Sequence, residues 1–260
     1  MGESVLYEVE DGLATVTLNR PEAMNALDTG TKDALRDTLR AAGADEAVRA
    51  VLLAARGRAF CVGQDLKEHV GILEHGGGLS TVAEHYNPIV TALATMPKPV
   101  VAAVNGAAAG AGAGFAFAAD YRVAADTASF TTAFAGVALS TDSGMAWTLP
   151  RLVGQARAAE LLLFPRSVPA AEALSLGLVH QVVPAAELAD TAVALARRLA
   201  QGPTVAYAAM KEALAYGASH SLVETLARED VLQARAGASA DHREGVAAFV
   251  GKRKPDFRGN

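Results

Sequence analysis

The chain has 260 residues, 51% of them hydrophobic, 20% charged and 5% aromatic, with a formal net charge of -5. That is enough chain to bury a sizeable core, and the acidic balance excludes a general nucleic-acid binder, whose electrostatic footprint is basic. A single cysteine, Cys61, excludes an intrachain disulfide and points to a reducing compartment, so a cytoplasmic protein with no nucleic-acid partner is expected.

The opening MGESVLYEVEDG lacks a basic stretch followed by an apolar core, so no secretory signal is read there. Gly2 permits a myristoylation reading that nothing else supports. SVLYEVE and LATVTLN flank Asp11-Gly12 and predict a β-hairpin. After a loop at Arg20-Pro21, the spacing of Leu35 and Leu39 predicts a helix over Thr29–Ala42. Val48–Ala55 is a continuous apolar run of strand length, the mark of a strand covered on both faces. Leu79–Met96 reads as a helix ended by Pro97 and Pro99, and Val100–Val104 as the next buried strand. Tyr121–Ala125 and Leu178–Val183 complete the strands. Helices follow over residues 185–200, 203–216, 219–236 and 241–250. Gly76–Gly78 reads as a loop tip. The pattern describes an α/β core with a mostly parallel sheet over residues 1–200 and a helical segment over 201–260.

AVNGAAAGAGAGFAFAAD, residues 103–120, is the most unusual stretch. The run is too rich in Gly and Ala, and too interrupted by Asn105 and Gly106, to read as a membrane span. As a dinucleotide fingerprint it fails, because Gly110, Gly112 and Gly114 are spaced two by two and the third falls one residue short. Two readings stay open. Small residues permit close helix–sheet packing, and a Gly-rich helix start can aim backbone N–H groups at a carbonyl oxygen gaining charge.

Four separated motifs carry a resemblance. GRAFCVGQDLKE, KPVVAAVNGAAAGAGAGFAFAAD, LPRLVGQARAAELLL with EALSLGLVHQVV, and REGVAAFVGKRKPDF stand in the order found in the enoyl-CoA hydratase/isomerase (crotonase) family. The resemblance implies a crotonase-like spiral of strand-strand-helix turns followed by a helical C-terminal trimerisation segment. It also implies an acyl-CoA substrate and no cofactor beyond the CoA moiety. The family's two oxyanion donors are backbone amides that fall by position on Gln64 and Ala111. Its CoA-binding loop corresponds to LNRPEAMNAL, with Arg20, Ala23 and Ala26. Lys67 corresponds to a position near the CoA, beside the plainer reading of a solvated helix lysine. Phe249 and Lys252 match residues that reach the CoA of a neighbouring subunit, which implies a trimer or a dimer of trimers. On its own, Lys252-Arg253-Lys254 is a solvated charge run.

The two glutamates of the family's hydratases fall here on Gly114 and Phe134, neither of which can move a proton. Asp142 is the carboxylate that remains. A carboxylate there resembles the isomerase branches, most of all the 2-(1,2-epoxy-1,2-dihydrophenyl)acetyl-CoA isomerase branch, with HYNPIV and DHREGVAAF as further matches. Thr141 and Met145-Ala146 depart from that branch, which carries Pro and Gly-Thr at these places. Asp142 is therefore expected to shuttle a proton between carbons 2 and 4 of an unsaturated or ring-derived acyl-CoA, the alternative being a helix N-cap. The rival functions are a hydratase with another proton relay, revealed by a 3-hydroxyacyl product, and a scaffold that binds CoA without turnover. Cys61 reads as a small buried hydrophobe, since no His lies near it in sequence. His69 and His85 fall in the variable acyl-pocket region. Glu68 and the six histidines lack metal-ligand spacing, so no metal is expected.

Overall fold

A computed structural model describes residues 3–74 and 80–260. Gly2, the Gly76–Gly78 tip and Leu79 lie outside the described residues. The hairpin forms as expected: β1 (Val5–Glu10) and β2 (Leu13–Leu18) pair antiparallel around Asp11 at φ 49° and Gly12 at φ 80°. Two consecutive left-handed residues match the twist of the flanking strands. Helix α1 (Thr29–Ala44) starts at Asp28, whose carboxylate accepts the Thr31 amide at 2.8 Å. It buries Leu35, Leu39 and Ala42 against the sheet.

From β3 onward the chain winds in repeated turns, each giving one strand to each of two sheets. The first turn supplies β3 (Ala50–Ala55), β4 (Ala59–Cys61) and α2 (Leu66–Glu74), followed by α3 (Asn87–Thr95). The second supplies β5 (Val100–Val104), β6 (Ala107–Ala109) and α4 (Ala111–Ala118). The third supplies β7 (Tyr121–Ala125), β8 (Ser129–Thr131), α5 (Met145–Val153) and α6 (Gln155–Leu163). Then come β9 (Val168–Pro169), α7 (Ala170–Ser175), β10 (Gln181–Val183), α8 (Leu188–Ala200), α9 (Thr204–Gly217), α10 (Leu222–Gly237) and α11 (Ala240–Val250).

The larger sheet has the order β1-β2-β3-β5-β7-β10, parallel except for the opening hairpin. The smaller one runs β4-β6-β8-β9. The fold is thus the strand-strand-helix spiral that the motifs imply. Helix α8 packs across β3, β5 and β7, while α9 and α10 pack on each other beyond it. Among the described residues, no helix is long and apolar enough to cross a membrane.

Three differences from the sequence expectation have local causes. The expected helix before Met96 opens with a π-helical turn over Val82–Tyr86 before α3 begins. Pro88 lacks an N–H and crowds the Glu84 carbonyl four residues back, so the ordinary ladder cannot run through it. The last strand is shorter than expected: Leu178 and Val179 turn back on α7, both amides donating to the Ala173 carbonyl. The strands of the smaller sheet, two or three residues each, are too short to stand out as hydrophobic runs.

Candidate active site: two unpaired amides and a half-buried carboxylate

The Gly-rich run is where β6 and α4 cross the end of β4 at backbone contact. A Cβ on Gly106 would lie 2.1 Å from the Arg58 carbonyl oxygen, and one on Gly112 would lie 2.1 Å from that of Cys61. Across this crossing Gly63, at φ 85°, backs onto the start of α4: a Cβ there would meet the Ala109 oxygen at 2.9 Å and the Ala111 nitrogen at 3.5 Å. The packing reading of the glycines therefore holds, and its consequence is to set Gly63-Gln64 beside Gly110-Ala111.

Among the described residues, neither the Gln64 amide nor the Ala111 amide donates a hydrogen bond. Ala111 opens α4, so its N–H has no partner within the helix, and Gly110 caps it at φ 50° without a side chain. The peptide preceding Gln64 is held from its other edge, because the Leu27 amide donates to the Gly63 carbonyl at 2.8 Å. The Asp65 amide in turn donates to the Leu27 carbonyl at 3.1 Å. Two free donors from separate turns of the spiral stand at one crossing, a geometry that can stabilise charge on an oxygen.

The turn that carries Asp142 packs on α4 one helical turn past Ala111. A Cβ on Gly114 would fall 2.7 Å from Ser143 Cβ and 2.8 Å from the Ser143 oxygen, so the 142–144 turn rests directly on this glycine. Ser143 and Gly144 both take positive φ, 51° and 67°, and turn the chain sharply into α5. The cap reading of Asp142 is not realised. Gly144 occupies the cap position, and among the described residues the Asp142 carboxylate accepts only the Ser143 hydroxyl, at 2.7 Å, rather than a helix amide. Asp142 is half-buried, and this desolvation raises its carboxyl above the ordinary carboxylate range, with the Ser143 hydroxyl acting in the opposite direction.

Neither position of the hydratase glutamates offers a proton-transfer group. Gly114 is pressed against the Ser143 backbone, and Phe134 is buried at 7% exposure in the short helical turn after β8. Cys61 is fully buried and its thiol is pushed up to about 12 by desolvation, which makes it an inert packing residue rather than a nucleophile.

The expected CoA contacts divide into two groups. The loop carrying Arg20, Ala23 and Ala26 lies against the Gln64 segment through the Leu27 bridge. Arg20 does not present a free guanidinium: it pairs with Asp28 at 3.0 Å and Asp65 at 3.2 Å and donates to the Ala26 carbonyl at 2.6 Å. These contacts tie the loop to Asp28, at the start of α1, and to Asp65, just before α2. Lys67 is exposed in the first turn of α2, two residues past the Asp65 that pairs with Arg20. Phe249 and Lys252, by contrast, are not drawn towards the crossing. Phe249 is 86% exposed at the end of α11, and Lys252 is exposed just beyond it at φ 50°. A cavity of about 870 Å³ lined by Arg49, Lys98, Lys211 and Arg258 lies away from the crossing. Among the described residues, no group of three or more His, Cys, Asp or Glu could hold a metal ion.

Sequence reasoning passed over Tyr86, Lys32 and Ser143. Tyr86 is buried with its ring edge-on to Phe115, centroids 6.0 Å apart, and its hydroxyl donates to Gln64 Oε1 at 2.5 Å. Burial and then the nearby Asp142 charge hold its phenol well above the usual range. A signal for Lys32 did exist, since it shares the 3–4 spacing of Leu35 and Leu39 on the buried stripe of α1.

The spiral α/β fold of strand-strand-helix turns is the crotonase fold. The family described as Enoyl-CoA hydratase/isomerase matches residues 8–260, and this chain belongs to it. A Rhodobacter capsulatus protein carrying the enoyl-CoA hydratase name is 46% identical over 257 residues, 98% of each chain. The Escherichia coli 1,2-epoxyphenylacetyl-CoA isomerase is 43% identical over 261 residues, all of both chains. A crystal structure from Mycobacterium abscessus carrying the enoyl-CoA hydratase/isomerase name superposes with a TM-score of 0.95 at 47% identity, covering 98% of this chain and 100% of the other.

Proposed function

We propose that this enzyme isomerises an unsaturated or ring-derived acyl-CoA by a proton shift, with Asp142 as both base and acid. The observation that carries the reading is the half-buried Asp142 carboxylate, uncommitted to any helix cap, in a chain where one hydratase-glutamate position, Gly114, is blocked by the Ser143 backbone and the other carries the non-ionisable Phe134. The Gln64 and Ala111 amides receive the thioester oxygen. Asp142 takes a proton from carbon 2, the electron pair spreads over the dienolate, and the carboxyl returns the proton at carbon 4. Desolvation suits this cycle, because a carboxyl raised towards neutrality both accepts and donates readily. The shift requires no cofactor beyond the CoA moiety of the substrate.

The relative named as an epoxyphenylacetyl-CoA isomerase extends the candidate substrates to ring epoxides. Arg20, Ala23 and Ala26 shape the loop at the CoA end, with Lys67 near the phosphates. Phe249 and Lys252, exposed within one chain, serve the CoA of a neighbouring copy in a trimer or a dimer of trimers. In this reading residues 1–200 carry the site and 201–260 the subunit contacts.

The deciding experiment offers 3-enoyl-CoA and 2-enoyl-CoA separately to wild type and Asp142→Asn. Conversion of the 3-enoyl substrate to its conjugated isomer, reduced about 10²- to 10⁴-fold in the variant, is the expected outcome. Hydration of the 2-enoyl substrate, indifferent to the substitution, would overturn the proposal. Turnover of neither would direct the test to a ring epoxide. CoA affinity without any turnover would assign the chain to binding alone.

A further inference from the structure

The side chain of Gln64 ends in a buried polar cluster assembled from three elements. The Tyr86 hydroxyl, from the π-helical turn, donates to Gln64 Oε1 at 2.5 Å, and the Lys32 ammonium, from α1, reaches the same oxygen at 3.4 Å. Lys32 is 1% exposed, yet it is fully engaged: Thr81 Oγ1 lies at 2.9 Å and Glu68 Oε1 at 3.2 Å. Stability alone does not account for this arrangement. A buried ammonium and phenol are costly to desolvate, and apolar side chains of similar volume are often no less stable in such places. At Gln64 the cluster holds the side-chain oxygen with two donors, while the side-chain Nε2 donates to Glu68 Oε1 at 3.4 Å.

That fixation matters because of what precedes it. Gly63, at φ 85°, is the most easily rotated link in this loop and stands immediately before the Gln64 amide. The Leu27 amide, on the Gly63 carbonyl, holds one edge of the peptide plane. The tether on the Gln64 side chain holds the Cα end of the same plane. With both ends fixed, the unpaired N–H has one direction in which to point.

We propose that Tyr86 and Lys32 are positioning residues of the oxyanion hole, holding the Gln64 backbone amide on the thioester carbonyl through the Gln64 side chain. The inference rests on the reading of that amide as an oxyanion donor. Neither residue touches the reacting atoms. Their effect falls on the transition state more than on binding, because the donor must meet an oxygen whose charge grows as the enolate forms.

The test uses a probe that needs no turnover. A CoA thioester of a para-amino-substituted cinnamate absorbs at longer wavelength when its carbonyl is polarised, so the spectral shift on binding reports the hole directly. It is recorded for wild type, Tyr86→Phe, Gln64→Ala and the double variant, with Lys32→Met as a second probe of the cluster. Tyr86→Phe keeps the ring against Phe115 and removes only the hydroxyl; thermal unfolding checks that each variant is folded. The expected result is a red shift in wild type, at least halved in both single variants, with probe affinity kept to within about threefold. In the double variant no further loss is expected, since contacting residues that act through one tether are not additive. Lys32→Met moves in the same direction. A full red shift in folded Tyr86→Phe, or additive losses in the double variant, would overturn the positioning role and leave the donor reading intact. Absence of any shift in wild type would overturn both together.

Discussion

Replacing Gly63 with alanine tests the crossing where the two amides meet. Two costs can be read from the geometry. Gly63 sits at φ 85°, where an L-residue pays about 1–2 kcal/mol for left-handed backbone. Its new Cβ would also lie 2.9 Å from the Ala109 oxygen, a backbone atom that cannot swing aside as a side chain would. The loop before Gln64 must therefore move away from α4, and the Gln64 amide moves with it. Loss of one oxyanion donor costs roughly 2.7–4 kcal/mol of transition-state stabilisation, about 10²- to 10³-fold in kcat. Gly63→Ala is thus expected to lose at least about 1–2 kcal/mol of folding stability in urea, the strain term alone, and to turn over about 10²- to 10³-fold more slowly with KM nearly unchanged. Denaturant melts and steady-state kinetics on the same preparation separate the two effects. A folded Gly63→Ala enzyme with kcat within about threefold of wild type would refute the assignment of the Gln64 amide as a donor, since the displacement would then have cost none of that stabilisation.

Four further outcomes follow from the same geometry. Because burial raises the Asp142 carboxyl, the acidic limb of the kcat–pH profile should lie above the ordinary carboxylate range and disappear in Asp142→Asn. The folded chain then holds a proton on Asp142 that the unfolded chain has released, so this residue's contribution to stability falls as pH rises between the ordinary and raised values. Urea melts across that window should show a shallower decline in Asp142→Asn. Gly114→Glu, which restores a hydratase glutamate, is expected to yield a destabilised protein without hydratase activity, because its Cβ meets the Ser143 backbone; a stable, water-adding variant would contradict the packing. Cys61, fully buried with its thiol near 12, should resist alkylation in the native protein and react only on unfolding, as followed by mass spectrometry with and without urea.

Much of the fold was legible because the larger sheet is built from continuous apolar runs and the helices from regular stripes. Val100–Val104, buried at every position, and the Leu35–Leu39 stripe of α1 announce themselves by period alone. The smaller sheet does not: Ala59–Cys61 and Ala107–Ala109 each take part through only three residues, and nothing local distinguishes them from the loops beside them. The Pro88 signal was present in the sequence, but the π-helical turn it produces depends on how the carbonyls upstream are accommodated.

The sequence by itself determined the family, through four motifs in order; it singled out Gln64 and Ala111 by their places in those motifs, and Asp142 as the carboxylate that remains. It also settled that glutamate is missing at Gly114 and Phe134. Only the tertiary structure showed that the first of these positions has no room for a side chain, since Gly114 is in contact with Ser143, twenty-nine positions further along the chain. It decided as well that Asp142 is no helix cap, that Arg20 spends its charge on Asp28 and Asp65, and that Tyr86 and Lys32 converge on Gln64. Periodicity reports which face of an element is buried. Which buried groups meet across elements is set by the crossing of backbones, and here that crossing is drawn tight by glycines whose partners lie tens of residues away.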